Sequence, residues 1–166
     1  MQYVFDSNIL IDIYQNYYPE VFESVWEKIE ELISNEIMVS ITEVREELKS
    51  KNIRDQWLKI NNNCNGLLFR ELIAGEEECI PLIEDLPIYR EEFHKKKTIS
   101  TLEKEWGDYA TAVADPWLIA YGWKHNATVV TNESPRKKYN MPHVCDELNV
   151  NHINLKDFFK ENNIKF

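Results

Sequence analysis

Acidic residues lie just after two of the predicted strands, where a parallel sheet places its ligands. Asp6 comes immediately after the run Tyr3–Phe5. Glu133 comes two residues after a predicted strand over residues 128–131. In open parallel sheets, ligands bind at the carboxyl ends of the strands. Carboxylate oxygens at that edge are hard ligands, which suit Mg²⁺ or Mn²⁺.

Two further segments bring acids toward the same edge. Asp115 begins the helix that leads into the strand over 128–131. Glu43, Glu46 and Glu47 lie in the first turns of the helix that follows another predicted strand. Four carboxylates packed together without a cation would force at least one of them to take up a proton. The pattern therefore makes physical sense chiefly as a metal site.

Each acid also has a purely structural explanation. Asp6 and Asp115 are both suitable helix N-caps, and a proline follows the second of them. The three glutamates are also explained as a solvated first turn favoured by the helix dipole. Glu133, in the segment Asn-Glu-Ser-Pro, also fits a turn. The metal-site interpretation depends on the coincidence of all four positions.

The elements around these acids alternate between strands and helices. Apolar residues at helical spacing predict helices directly after Asp6, from Pro19 to Asn35, after residue 40, and from Asp115 to Trp123. Short β-branched and aromatic runs predict strands over 3–5, 37–40, 128–131 and 152–155, the last followed by a helix over 156–161. This alternation predicts an α/β protein with a parallel sheet covered on both faces.

Residues 55–106 differ from the two ends of the chain. They are charged and helical in pattern, and Gly75, Pro81 and Pro87 divide them. We expect several helices that form a side wall of the fold. No linker, internal repeat or low-complexity segment interrupts residues 1–166, which predicts a single domain.

Composition sets limits on the function. The net charge of −10 argues against broad coating of nucleic acid, but not against an acidic centre that a divalent metal neutralises. The apolar runs are too short to span a membrane, and the N-terminus lacks the basic region of a signal peptide. Cys64, Cys79 and Cys145 lack the spacing of a zinc site, so we expect packing residues in a reduced, cytoplasmic protein.

Several segments resemble PIN domains, a family of nucleases. Val-Phe-Asp-Ser-Asn-Ile-Leu over 4–10 resembles their opening, in which the first strand delivers an Asp followed by Ser or Thr. Val-Arg-Glu-Glu-Leu over 44–48 is similar to the family's Val-x-x-Glu-Leu helix, which points to Glu47 as the second acid. Residues 114–120 and 125–133 resemble the segments that carry the third and fourth acids, although Glu133 stands where most PIN domains have Asp.

The resemblance implies a three-layer α/β/α fold with a central parallel sheet of four to five strands. It also implies an endoribonuclease that depends on Mg²⁺ or Mn²⁺, with ions that polarise the scissile phosphate and orient a water for in-line attack. The catalytic and metal-binding residues would be Asp6, Glu47, Asp115 and Glu133. Asn8 and Thr131 would orient carboxylates or phosphate through hydrogen bonds, and Glu43 and Asp108 are further candidate ligands.

The partners follow from the same resemblance. It implies an RNA substrate, with an antitoxin protein as partner if the chain belongs with the VapC-like toxins, and it leaves a homodimer open. Two basic clusters, Lys95-Lys96-Lys97 and Arg136-Lys137-Lys138, are candidate RNA contacts, and Trp106 and Tyr139 are candidate stacking residues. Solvated lysines and ordinary packing explain these residues as well.

Two other functions fit part of the pattern. Phosphohydrolases of the haloacid-dehalogenase type also begin with an Asp after the first strand. They need a second Asp two residues later, where this chain has Asn8. A catalytically silent PIN-like binding or regulatory module would suit the acidic charge, whereas the four carboxylates favour an enzyme.

Overall fold

A parallel sheet forms the centre of the protein, of which the computed structural model describes residues 1–86, 114–136 and 140–165. Its strands in these ranges are β1 (Tyr3–Phe5), β2 (Met38–Ile41), β3 (Phe69–Arg70), β4 (Thr128–Val130) and β5 (His152–Ile153). The order across the sheet is β3-β2-β1-β4-β5, and all neighbouring strands are parallel. The predicted α/β fold with a central parallel sheet is confirmed, with five strands.

Helices cover both faces of this sheet. In the described ranges they are α1 (Ser7–Asn16), α2 (Glu23–Ser34), α3 (Thr42–Glu47), α4 (Lys51–Asn63), α5 (Ala74–Glu77), α6 (Ile80–Glu84), α7 (Asp115–His125), α8 (Met141–Glu147) and α9 (Leu155–Glu161). Helix α1 contacts α3 and α4, whereas α7 contacts α5, α6, α8 and the central strands. Connections between parallel strands are right-handed, so a chain that reverses its direction across the sheet places the two groups on opposite faces. The result is a three-layer α/β/α arrangement.

Buried aromatic residues join the helices of one face to each other and to β1. The ring of Phe158 in α9 packs edge-on against Tyr3 and Phe5, at centroid distances of 5.0 and 4.7 Å. The indole N–H of Trp57 in α4 donates to the carbonyl of Leu10 in α1 at 3.0 Å. Because this buried donor has a partner, the large apolar ring adds to the core without the cost of an unsatisfied polar group.

On the other face, α7 lies close to β4 at Gly122. A Cβ atom on this residue would lie 3.1 Å from side-chain atoms of both Val129 and Val150. The helix ends at Asn126, whose left-handed backbone (φ 50°) turns the chain toward β4. This close approach fixes the position of α7, and therefore of Asp115 at its first turn, relative to the sheet.

The second helix begins later than the sequence predicts. The carbonyl of Tyr18 accepts hydrogen bonds from the N–H groups of Val21 and Phe22, which forms a turn around Pro19. Helix α2 therefore begins at Glu23. The apolar spacing continued across this turn and did not mark the boundary.

The region after β2 contains two helices where the sequence predicted a single one. Helix α3 ends at Glu47, because Leu48 takes an extended backbone (φ −75°, ψ 92°), and α4 begins at Lys51. The predicted side wall over 55–106 also contains β3, whose start is held by the side chain of Asn61, which accepts from the N–H groups of Leu68 and Phe69. Residues 87–106 of the predicted wall lie outside the described ranges.

Smaller differences concern the ends of elements. The predicted strands over 128–131 and 152–155 end at Val130 and Ile153, and α9 begins at Leu155. Ala114 is the N-cap of α7, and Asp115, which the sequence suggested as a cap, is its first helical residue.

The structure also places the three cysteines and shows how long and how apolar the described helices are. The three cysteines are buried and form no disulfide, as expected for packing residues. No helix in the described part of the chain has both the length and the apolar character that a membrane span requires.

Candidate functional site

The strand order of the sheet reverses between β1 and β4, which is where open parallel sheets bind ligands. The chain proceeds outward from β1 through β2 to β3 and then returns to the other side of β1. Asp6 follows β1, and its backbone N–H donates to the carbonyl of Val130, the last residue of β4, at 3.1 Å. Asp6 therefore lies at the switch point of the sheet.

Asp6 is a buried carboxylate, with 2% of its surface exposed. Its Oδ1 accepts from the backbone N–H of Ser7 at 2.7 Å, and its Oδ2 accepts from the hydroxyl of Thr131 at 3.2 Å. Burial and then the negative charges of Glu133 and Glu47 raise the pKa of Asp6 to about 7. Among the described residues, no lysine, arginine or histidine forms an ion pair with it.

Glu47, the last residue of α3, lies beside Asp6. Its Oε2 accepts from the hydroxyl of Ser7 at 2.8 Å, so this hydroxyl connects the two acidic residues. Its Oε1 accepts from the backbone N–H of Ala114, the residue before Asp115. Burial and, more weakly, the charge of Glu133 raise the pKa of Glu47, while the two hydrogen bonds oppose that rise. The contact with Ala114 brings the first turn of α7 to the site.

The other two acids of α3 point to different neighbours. Glu46 is exposed and forms an ion pair with Arg45 at 3.1 Å. Glu43 accepts from the hydroxyl of Thr42 at 3.1 Å. Of the three alternatives that the sequence left open, Glu47 is the acid whose hydrogen bonds connect it to the site.

Glu133 is held close to Asp6 by the loop that follows β4. Its Oε2 accepts from the N–H of Met141 at 2.7 Å, and its own N–H donates to the hydroxyl oxygen of Thr131 at 3.2 Å. After burial, its charge is the largest cause of the raised pKa of Asp6. Thr131 contacts both acidic residues, and the orienting role that the sequence suggests for it remains a prediction.

Asp115 is connected to the site through two neighbours. It follows Ala114, whose N–H is bound by Glu47. It also acts on Cys145, whose thiol pKa is raised by burial, then by the charges of Asp146, Asp115 and Glu133. Asp115 and Glu133 therefore lie near one buried thiol.

The donor set fits a divalent cation chemically, since it consists of carboxylates and includes a buried one without a cationic partner among the described residues. Within residues 1–86, 114–136 and 140–165, however, no three acidic, histidine or cysteine side chains are arranged as ligands of one ion. Binding of a shared ion by the four acids remains a prediction. Asp108, the further candidate ligand, lies outside the described residues, as do Lys95-Lys96-Lys97, Trp106 and residues 137–139.

The hydrogen bonds identify an orienting residue that the sequence did not single out. Asn8 is exposed, and its side chain makes no hydrogen bond with any residue in the described ranges, so its orienting role remains a prediction. Ser7 is 5% exposed and makes the contacts to Asp6 and Glu47. The sequence does offer a signal for Ser7, because it directly follows Asp6, where the PIN segment that this chain resembles has Ser or Thr.

A family model matches nearly the whole chain. It is described as a domain of unknown function, DUF4411, and it covers residues 3–166. The chain belongs to the DUF4411 family. No curated protein and no solved structure matches it. The range matched by the DUF4411 model includes all four acids and the switch point of the sheet.

Two open cavities lie at the edges of the sheet of this DUF4411 protein. One, of about 600 Å³, is at the amino edge, where Tyr3, Thr128 and His152 begin their strands. The other, of about 620 Å³, begins at the carboxyl edge with Asn132 and runs along α9 as far as Lys160 and Ile164. None of the four acids lines either cavity, but the second lies one residue away from Thr131 and Glu133.

Proposed function

We propose that this protein is a divalent-metal-dependent endoribonuclease of the PIN type. The observation that carries the proposal is Asp6, a buried carboxylate at the switch point of a parallel sheet, beside Glu47 and Glu133 and without a cationic partner among the described residues. Burying carboxylates together costs free energy unless a cation compensates them. Mg²⁺ or Mn²⁺ is the compensating partner that suits oxygen ligands.

Each acid then has a distinct role. Asp6, Glu47 and Asp115 would hold the ion, and Glu133 would hold a second ion or a water of the first. When bound, the metal supplies Lewis-acid activation of the phosphodiester and of water. The hydroxyls of Ser7 and Thr131 hold the carboxylates of Glu47 and Asp6 in place, which lowers the reorganisation required when a substrate binds.

The choice of RNA as substrate is supported by the resemblance to PIN domains. The same resemblance supports an antitoxin protein as partner and is compatible with a homodimer. The buried, unpaired state of Cys64, Cys79 and Cys145 is compatible with a reducing, cytoplasmic environment.

A catalytically silent binding module is the second candidate. In its favour, Glu47 and Glu133 accept hydrogen bonds from the backbone N–H groups of Ala114 and Met141, so part of their binding capacity is already used within the protein. A silent module would bind its partner without cleaving RNA.

Cleavage of an end-labelled, single-stranded RNA separates the two candidates. We expect the purified protein to cleave it with Mn²⁺ and to lose this activity with chelator. Asp6→Asn should reduce the rate by about a hundredfold or more, because the amide keeps the shape and removes the charge that holds the cation. Asp55→Asn, at an exposed position of α4, is the matched control and should cleave normally.

A second matched pair of variants tests which glutamate of α3 belongs to the site. Glu47→Gln should lose activity, whereas Glu46→Gln, its exposed neighbour, should keep it. Undiminished cleavage by purified Asp6→Asn protein would contradict the proposal. Absence of cleavage by the parent, with RNA binding retained, would favour the silent module.

A further inference from the structure

The cavity at the carboxyl edge has an apolar floor. It has a volume of about 620 Å³ and lies between the C-terminal end of α1 and helix α9. Leu155, Phe159 and Ile164 form its floor and are each at least nine-tenths buried. Tyr17 is only partly buried and packs edge-on against Phe159 at a centroid distance of 5.5 Å. Tyr17 also packs edge-on against Phe22 at 5.6 Å, so the cavity is lined by an aromatic cluster beside apolar side chains.

The rim of the same cavity is cationic. Lys156 and Lys160 are both exposed, and they lie one turn apart on the same side of α9. Neither lysine forms an ion pair with another residue in the described ranges. In a protein with a net charge of −10, an exposed pair of lysines without such a partner is a local site for an anion.

Three acids of α1 and α9 do not neutralise this rim. Asp12 of α1 accepts a hydrogen bond from the amide of Asn132 at 2.8 Å. Asp157, on α9 itself, forms no ion pair with another residue in the described ranges. Glu161 accepts from the hydroxyl of Tyr3, next to the cavity at the opposite edge of the sheet. None of these carboxylates pairs with the two lysines.

Asn132 joins this cavity to the acidic centre. It stands between Thr131 and Glu133 in the chain, and its side-chain oxygen accepts from the N–H of Leu155, the first residue of α9, at 3.1 Å. Since β1, β4 and β5 are consecutive in the sheet, two strand spacings separate Asp6 from the start of α9, which is roughly 10 Å. A polynucleotide strand that passes the acidic centre would therefore reach the start of the rim, at Lys156, within a few nucleotides.

We propose that this cavity, which we call the α9 groove (Tyr17, Asn132, Lys156, Phe159 and Lys160), binds single-stranded RNA beside the bond to be cut. Lys156 and Lys160 contact successive phosphates, and a base packs on Tyr17 and the apolar floor. Proteins that hold single strands combine such a basic rim with an aromatic surface. The inference rests on the proposed function for its choice of RNA, and it assigns substrate binding to a segment outside the four acids.

Charge complementarity favours a nucleic acid over a protein for this groove. The lysines offer charge for phosphates that follow one another along a strand, and Asn132, which lines the groove, lies in the chain between Thr131 and Glu133 of the acidic centre. An acidic protein segment is the alternative occupant, and the test distinguishes it from RNA.

Binding is measured by fluorescence anisotropy of an end-labelled oligouridylate, with the full chain and in the presence of chelator, so that no cleavage takes place. We expect the double variant Lys156→Gln/Lys160→Gln to bind about tenfold more weakly. The slope of log K against log salt should decrease by about 1.4, which is 0.7 for each of two phosphate contacts on a single strand. The control Lys51→Gln/Lys59→Gln changes the same charge at exposed positions of α4 outside the groove and should bind like the parent.

Equal binding by both double variants, equal weakening in both, or no binding by the parent would overturn the inference. Displacement of the oligouridylate by polyglutamate, lost in the α9 variant only, would assign the groove to an acidic protein and also overturn it. If the parent binds RNA through Lys156 and Lys160 but cleaves none, the nuclease proposal is refuted and the α9 groove is still assigned to RNA binding. If cleavage depends on Asp6 but RNA binding is unchanged by the two lysine substitutions, the nuclease proposal stands and the assignment of RNA binding to the α9 groove is refuted.

Discussion

At the scale of single residues, the buried carboxylate of Asp6 has a strongly raised pKa. It is buried beside Glu133 and Glu47, and these surroundings raise its pKa from 3.8 to about 7. The native protein therefore holds a proton on Asp6 at pH values where the unfolded chain has released it. Stability from this group is fully present below the unfolded pKa and is lost as the pH rises through the folded pKa.

Asp6→Asn should remove this pH dependence. Without metal, the parent should lose stability relative to the variant as the pH rises from about 4 to about 7, because only the parent must release a proton in a buried, acidic site. Above about pH 7 the variant should be more stable by a few kcal/mol. Urea unfolding of both proteins across this range measures the difference. A difference that stays constant with pH would contradict the raised pKa.

Alanine variants of Ser7 and Asn8 test which of these two neighbours of Asp6 orients the carboxylates. Ser7→Ala removes the hydroxyl that donates to Glu47 at 2.8 Å, and we expect activity or metal affinity to fall about ten- to a hundredfold. Asn8→Ala, at the exposed neighbouring position, should keep the cleavage rate. Steady-state cleavage with Mn²⁺ measures both variants. Equal losses would contradict this expectation and support the orienting role that the sequence suggests for Asn8.

The sequence locates these residues to different degrees. Asp6 directly follows a predicted strand and Glu133 follows another by two residues, so the rule for carboxyl ends places both without a structure. The choice among Glu43, Glu46 and Glu47 depends on the rotation of α3, and periodicity leaves that rotation open because all three lie in a short helix of six residues. The bridging hydroxyl of Ser7 depends on the same rotation.

At the scale of elements, the contact of α7 with β4 at Gly122 positions Asp115. Gly122→Ala should lower the free energy of unfolding by about 1–3 kcal/mol, since the added methyl group would lie 3.1 Å from Val129 and Val150 side-chain atoms. Gly75→Ala is the control in α5, where the nearest atom, on a flexible lysine side chain, is 3.9 Å away. Chemical denaturation of both variants measures the cost. A loss of stability in Gly75→Ala as large as in Gly122→Ala would contradict this packing.

Elements with a strong local signal are predictable from the sequence, and those that depend on tertiary contacts are not. Strand β1, strand β4 and helix α7 have β-branched runs or helical spacing with clear boundaries. Strand β3 has two residues and depends on pairing with β2 and on the side chain of Asn61, which no periodic pattern reveals. The break between α3 and α4 lies at residues 48–50, which contain neither glycine nor proline, so its local signal is weak and consists of Ser50, the N-cap of α4.

At the scale of the whole molecule, a net charge of −10 predicts that divalent cations stabilise the native state. A ligand bound only to the native state adds about 2.7 kcal/mol at a hundredfold excess over its Kd. Mn²⁺ should stabilise more than Mg²⁺, because its coordination geometry is less demanding. Thermal melting at constant ionic strength, with each ion, measures the effect.

Asp115→Asn and Asp55→Asn distinguish a specific site from the general charge. The rise in melting temperature with Mn²⁺ should disappear in Asp115→Asn and persist in Asp55→Asn, whose aspartate is exposed on α4. Equal rises in both variants would place the ion elsewhere on the acidic surface and would remove the main physical reason for the four acids to lie together.

A crystal structure of the protein soaked in Mn²⁺ tests the metal centre most directly, because the anomalous signal of manganese locates the ion without assumptions about its ligands. We expect a peak within about 2.0–2.6 Å of carboxylate oxygens from Asp6 and Asp115, with Glu47 in direct contact and Glu133 in contact directly or through a water. A well-ordered site at saturating Mn²⁺ with no peak among these four acids, or with the peak at another acidic surface, would contradict the account.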